Sequence, residues 1–558
     1  MTPDTQLQHV EKLCNAGNSE AIQTWSLQVA KGDITLAAKN FIHIEAYLTN
    51  NSLDVQACFD CLDAMRPMHS LLSNKLFGLL HPDESISSAH NLIVCNAILA
   101  LTKSELSAFQ LLLKRYLKKE IDHETLAIIL HRALATQLKA LLSRQKLKLP
   151  IPQQYWKNLH QFFLLANRYQ LMSFRFCDGA IAWDQRLSVE NLYCMALLLK
   201  GANLNQLSET SINNTFDLLC ENISLVSLSV SPTDNDNEIA VDISSSEGPK
   251  FKTLLQDQNN KQLIYLQIHG LLRKLALLVS SQSSFSVALF EHLHSAWDRY
   301  VQREQRQVIE QDIQICLNFE DLHYYLSGNQ NLEDFIGVKA KLSIAYDEDE
   351  DIAKLEGGRS QNIFNAGVVE LKGDTIKDEI PDWTHLQHNF PIQNKHTKTS
   401  ALHTVLLVDK SESGCRLRWQ GDDIPLLDVG SMLSLSMDTD NNEWLIGEVA
   451  WLNHQNHKAI ETGIKILSRA PIPVAVDVPL KACMHTNFLP GILLPPNKAK
   501  QHETRFIVGR YGYEVGDQVH ITQGGQETAI QLEKLQRQFQ DHSLFSCGFF
   551  PASHTKNA

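Results

Sequence analysis

Two places in the chain carry residue types suited to gripping a charged, hydrogen-bonding ligand. The first is the hexad Asp409-Lys410-Ser411-Glu412-Ser413-Gly414, spaced D-x-S-x-x-G. A carboxylate accepts from N–H donors, a serine hydroxyl both gives and accepts, and glycine lets the backbone turn sharply or be approached closely. The second is Arg299-Tyr300-Val301-Gln302-Arg303, with Arg306 just beyond it. Arginine forks onto phosphate oxygens and also lays its plane on an aromatic face, which lysine cannot do. Each has a plain structural alternative. The hexad is equally an Asx-type hairpin turn, and the arginines are equally a solvated helix end. No catalytic constellation stands beside them: the chain has no G-x-S-x-G, Walker A loop, H-E-x-x-H or Gly-rich dinucleotide fingerprint. An enzyme is therefore the weaker expectation.

The elements that must position the hexad read as strands. Residues 404–408 and 415–419 flank it with apolar and β-branched side chains. Three further strand-like runs follow at 431–437, 444–452 and 461–467, which predicts a small antiparallel barrel of about five strands. This stretch resembles the PilZ domain, a bacterial receptor module for cyclic di-GMP. The resemblance rests on four features in order: the D-x-S-x-x-G turn, Val429-Gly430 before a hydrophobic strand, Gly447-Glu448-Val449-Ala450-Trp451, and Thr462-Gly463-Ile464-Lys465-Ile466.

The family's second half-motif, R-x-x-x-R before the first barrel strand, is missing immediately upstream of residue 404. The resemblance therefore implies that Arg299 and Arg303 supply it, with residues 313–317 as first strand and a long insertion before the second. It further implies a cyclic di-GMP site of Arg299, Arg303, Asp409, Ser411 and Gly414. In that site arginines meet phosphates and guanine faces, Asp409 accepts from the guanine N–H edge, and Gly414 supplies freedom in φ and close ligand approach.

Around this unit the chain divides into four expected parts, giving a multidomain α+β protein. Residues 1–165 read as an all-α bundle or solenoid: Leu126, Leu130, Leu134, Leu138 and Leu141 recur at three- and four-residue spacing, and Asp122 is placed as a helix cap. Residues 166–303 read as mostly helical, with helices at 188–200, 204–222, 262–278 and 284–303, and a possible hairpin of 225–231 with 238–243. Trp297, near the end of the last helix, is expected to pack between helix and barrel. Residues 304–470 form the PilZ-like barrel with an acidic insertion at about 329–400, of which 345–390 is expected to be mobile. Residues 471–558 form a second small β-barrel after a linker marked by Pro471, Pro473 and Pro479.

The bulk numbers narrow the classes. A formal net charge of −13 offers no basic excess for nucleic acid. No apolar run approaches the roughly eighteen residues of a membrane span, and the start Met-Thr-Pro-Asp-Thr-Gln lacks a secretory pattern. A cytoplasmic protein is expected. The eleven cysteines form no framework; Cys58-Phe59-Asp60-Cys61 is a lone C-x-x-C better explained by core packing than by metal. A cation at the acidic block 347–351 finds no ligand spacing in support, and His454 and His457 read as part of a solvated turn.

Two functions from different classes follow. One is a cyclic di-GMP receptor passing its signal to an unidentified protein partner, in motility, type IV pilus, biofilm or surface-attachment control. The other is a ligand-independent adaptor using a degenerate PilZ barrel.

Overall fold

A computed structural model describes residues 3–336 and 402–549, apart from 51–52, 83, 87, 119–121, 236, 256–261, 281–286, 301–303, 422–423, 439–442, 457, 479–486, 497–502, 510–512, 524–525 and 539–541. Arg303, the acidic block and the stretch expected to be mobile lie outside these residues, as do His457 and Pro479. The chain forms two compact units. One holds residues 1–317 and 404–469, the other residues 318–403 and 470–558.

The first unit begins as a helical bundle running from Pro3–Asn15 to Gln153–Arg168. Several of its helices start where polar caps satisfy the first free N–H groups: Asp122 accepts from Thr125 N at 2.8 Å, and Asp54 and Ser88 act alike. The leucine stripe at 126–141 is wholly buried. Helices Ala89–Tyr116 and His123–Lys146 are long and apolar enough to cross a membrane by length and composition. They pack on each other within the core, which accounts for their apolar character. Cys58 and Cys61 are buried in the same core, and the Cys58 thiol donates to Leu48 O.

Between residues 166 and 303 the structure corrects the sequence reading. A hairpin of Arg175–Asp178 and Ala182–Ser188 lies where no strand was expected, and helix Val189–Gly201 follows it behind a Ser188/Asn191 capping box. Strands Ser227–Ser229 and Ile239–Asp242 exist but are not a hairpin; Leu263–Gln267 runs between and pairs with both. That third strand was taken for the start of a helix. Its Ile264-Tyr265-Leu266 core is β-branched and aromatic, and is buried. The helix begins only at His269, and the last one, Val287–Asp298, ends before Arg299. Trp297 packs into the helical core rather than against the barrel, donating Nε1–H to Leu198 O at 3.0 Å.

A charged network is buried inside the bundle. Arg66, 2 % exposed, donates to Asp178 Oδ2 at 2.6 Å and to Thr136 Oγ1 at 2.9 Å, and lies 3.3 Å from Glu105 Oε1. Arg132 reaches Asp63 at 2.7 Å and Asp178 at 3.4 Å, and Lys139 reaches Glu105 at 3.4 Å. Desolvation alone would raise both buried carboxyls, but the surrounding cations hold Asp178 and Glu105 below their ordinary values.

The rest of the first unit is a closed six-stranded antiparallel barrel. Its strands run, in spatial order, Met432–Asp438, Glu443–Asn456, Ala459–Ser468, Gly414–Gln420, His403–Lys410 and Gln307–Cys316. The last closes the ring on the first, pairing Ile315 with Leu435. Alternation fills the interior: Cys415, Leu417 and Trp419 point in while Arg416 and Arg418 point out. Gly463 lies opposite Trp451, and a Cβ there would meet Trp451 Nε1 at 1.9 Å. Gly463→Ala is expected to lower barrel stability by about 1–3 kcal/mol through this overpacking, read as a lower midpoint in denaturant melting; an unchanged midpoint would contradict it.

The second unit is also a closed six-stranded barrel, in the order Ile472–Val478, Asn487–Leu494, Arg505–Gly509, His542–Phe549, Gln526–Gln538, Gln518–Gln523. Ile472–Val478 corrects the expected proline linker: Pro473 sits at the start of a strand paired on both sides, a place where a missing N–H is tolerated. Helices Phe319–Leu326 and Leu332–Ile336 belong to this unit. His323 Nε2 lies 3.1 Å from Val474 O, and Phe319 stacks on His542 at 5.7 Å.

Candidate functional site

The hexad lies at the tip of the hairpin His403–Lys410/Gly414–Gln420. Ser411 N donates to Gly414 O at 2.7 Å, closing a tight turn. Gly414 is needed for a reason other than freedom in φ: its φ is not in the left-handed region, and a Cβ would stand 2.3 Å from Ile464 O. The glycine lets the neighbouring strand close in, and the expectation of backbone freedom is corrected accordingly.

Register decides which way Asp409 points. Leu407 pairs with Leu417, both inward, so simple alternation would aim residue 409 into the barrel. A bulge at Val408 instead places Asp409 opposite the outward Arg416. A second bulge, between Val449 and Trp451, sets Trp451 opposite Gly463, which is itself opposite Arg416. The outer face thus carries one row across four strands: an indole, a glycine, a guanidinium and a carboxylate.

The arginine segment completes this row. Arg306 Nη1 donates to Asp409 Oδ1 at 2.7 Å, and Arg416 Nη2 lies 2.8 Å from Asp409 Oδ2. Asp409 is only 4 % exposed, while both guanidinium side chains remain about a third exposed. The carboxylate acts as an anchor that aims two cations outward. One strand further, Glu461 receives a forked pair of bonds from Arg418 at 2.9 and 3.2 Å and lies 3.8 Å from Arg416. Glu304 also reaches the turn, its Oε2 accepting from Ser413 N at 2.9 Å and Ser413 Oγ at 2.7 Å. Beside the turn is a cleft of about 370 Å³, with Met437, Leu445 and Ile466 on its apolar part and Lys410, Ser411 and Arg469 among its polar lining. A concavity of this size falls in the range of small-ligand sites.

Of the expected site residues, Asp409, Ser411 and Gly414 stand together in the turn. Arg299 is exposed, and the following Tyr300 is tied elsewhere, its N–H donating to Asn237 Oδ1 at 3.2 Å and its ring 6.0 Å from Phe251. Arg306 rather than Arg299 makes the contact with the hairpin. Arg416, Arg418, Glu461 and Glu304 were not singled out from the sequence. The first two carried a signal, since they alternate with Cys415, Leu417 and Trp419.

The barrel also engages the helical bundle. His454 N donates to Lys148 O at 2.8 Å, and Lys148, at φ 53°, turns its Nζ onto the carbonyls of Leu204 and Leu207. Burial holds the Lys148 ammonium down to about 8 and the His454 imidazole down to about 4, and raises the nearby Asp428 carboxyl. His454 is therefore a buried neutral contact and not part of a solvated turn. Among the described residues no cluster of three or more His, Cys, Asp or Glu is placed to hold a metal ion.

Three family models match in succession: "Cyclic-di-GMP receptor FimW, N-terminal domain" over residues 20–233, "Cyclic-di-GMP receptor FimW, middle PilZ domain" over 239–473, and "FimW C-terminal beta-barrel domain" over 476–547. The cyclic-di-GMP receptor FimW of Pseudomonas aeruginosa is 22% identical over 454 residues, covering 75% of this chain and 72% of that relative. No solved structure matches the chain.

Proposed function

Since this chain belongs to the PilZ-domain proteins, carrying that domain between a helical N-terminal region and a C-terminal β-barrel, we propose that it is a cyclic di-GMP receptor and not an enzyme. The observation that supports this most is the 2.7 Å contact of Arg306 with Asp409, across 103 positions of sequence. It sets the arginine segment beside the D-x-S-x-x-G turn, the juxtaposition such a site requires. The 22% identical relative named as a cyclic-di-GMP receptor points the same way.

In this reading the ligand's phosphates meet guanidiniums fixed by Asp409, those of Arg306 and Arg416, with Arg299 and Arg303 closing from the preceding segment. Guanidinium planes and the Trp451 indole offer faces for guanine, and Ser411 and Gly414 border the cleft that receives it. Asp409 serves mainly through the arginines it holds, because its own oxygens are covered.

Movement of the segment 299–306 on binding would be felt directly in the bundle, since Trp297 is embedded there. We take the output to be a changed surface for a protein partner in the cytoplasm, in motility, type IV pilus, biofilm or surface-attachment control. Isothermal titration of the full chain with cyclic di-GMP tests the reading: saturable heat with one ligand class, absent with GMP, is expected. No heat with cyclic di-GMP would favour the adaptor instead.

A further inference from the structure

Glu304 stands where a ligand's anionic group would be expected to bind. Its Oε2 takes both donors that Ser413 offers, the backbone N–H at 2.9 Å and the hydroxyl at 2.7 Å. A paired N–H and O–H on a turn is an arrangement that receives an oxyanion, and a carboxylate oxygen presents the same charge and lone pairs as a phosphate oxygen. The contact lies among cations: Arg306 two residues on, Arg416 across Asp409, and Arg469, whose Nη2 donates to Glu412 O at 2.8 Å in the same turn. Glu304 thereby adds a negative charge to this face and occupies the Ser413 N–H and hydroxyl.

We propose that Glu304 is a built-in competitor, an internal carboxylate that an anionic ligand must displace from Ser413, so that it raises the ligand concentration needed for occupancy. The inference rests on the receptor reading above and adds its regulation. The two contacts within the segment oppose each other. Arg306 gains from an arriving phosphate while Glu304 is repelled by it, so ligand entry favours the state in which Glu304 has left Ser413 and Arg306 stays at the site. The bond is exposed and open to water, which makes it weak enough to be exchanged. A state held by a charge-assisted bond of this kind lowers apparent affinity by the fraction of molecules in which the donors are free.

The test is titration of the full chain with cyclic di-GMP in three forms: native, Glu304→Gln and Arg306→Ala. Glu304→Gln keeps the size of the side chain and removes its charge. It is expected to bind about two- to fivefold tighter than the native chain, the scale of one exposed charged contact. The gain should shrink as salt is raised, because the difference is one of charge. Arg306→Ala, which should bind more weakly, shows that the heat comes from this site. Equal or weaker binding by Glu304→Gln, with the native chain binding, overturns the competitor while leaving the receptor reading standing. Binding by Glu304→Gln alone supports the competitor in its strongest form. No binding by any form overturns the receptor reading, and the competitor with it. Because Glu304 is exposed, an unchanged thermal midpoint is expected and separates a change in affinity from a change in folding.

Discussion

Replacing Arg66 by methionine is expected to lower the stability of the helical region by roughly 3–5 kcal/mol. The guanidinium is 2 % exposed and bonds or ion-pairs with Asp178, Thr136 and Glu105. Methionine fills much of the same volume, so the loss comes from carboxylates stripped of a partner in a place water does not reach. Arg132 and Lys139 remain, but at 3.4 Å each they are the weaker pairings. For a region of this size the change should appear as a fall of about 10 °C in melting temperature. Removing the charge left behind, in Arg66→Met with Asp178→Asn, should recover part of the loss, so that the double variant is less damaged than the sum of the two. A single variant within about 1 kcal/mol of the native chain would show that Asp178 and Glu105 are adequately held without Arg66.

The second large effect concerns the ligand. Arg306→Ala is expected to weaken cyclic di-GMP binding by about 10- to 100-fold, the scale of a lost charged hydrogen bond together with its consequence for Asp409. That consequence matters because Asp409 would then be offset by Arg416 alone, and the net positive charge that the trio offers an incoming phosphate would be lost. Arg306→Lys should rescue little, since an ammonium cannot fork between the carboxylate and a phosphate. Arg299→Ala should have the smaller effect of the two, because Arg299 is exposed and the hairpin is reached through Arg306. Full affinity in Arg306→Ala, measured by the same titration, would remove the arginine segment from the site.

Regular patterns were legible in the sequence and deviations from them were not. The 126–141 leucine stripe and the Cys415-Leu417-Trp419 alternation announce a buried helix face and a barrel wall, because burial follows the 3.6 and 2.0 periods directly. The orientation of Asp409 and of Trp451 depends on bulges, which insert one residue against the period and leave no mark in composition. Leu263–Gln267 was hidden because a four-residue apolar run, Leu263–Leu266, just ahead of a helix is taken up into the helix's pattern. Ile472–Val478 was hidden because Pro473, with Pro471 and Pro479 on either side of the strand, outweighed its valines. Arg306 was visible as a basic residue beside the pair, but a distance of 103 positions is bridged by folding and not by any local rule.

The route of the chain has a consequence for dissection. After contributing Gln307–Cys316 to one barrel, the backbone lends Phe319–Leu326 to the other unit and then returns at His403 to finish the first. The polypeptide passes between the two units three times, after residues 317, 403 and 469, so no single cut yields both intact. A fragment ending near residue 470 would keep the helix while losing Val474 and His542, baring the apolar Phe319 and Leu322 and leaving His323 without its Val474 carbonyl. Such a fragment would be prone to self-association, and only excision of residues 318–403 together with residues 470–558 would free the first barrel cleanly.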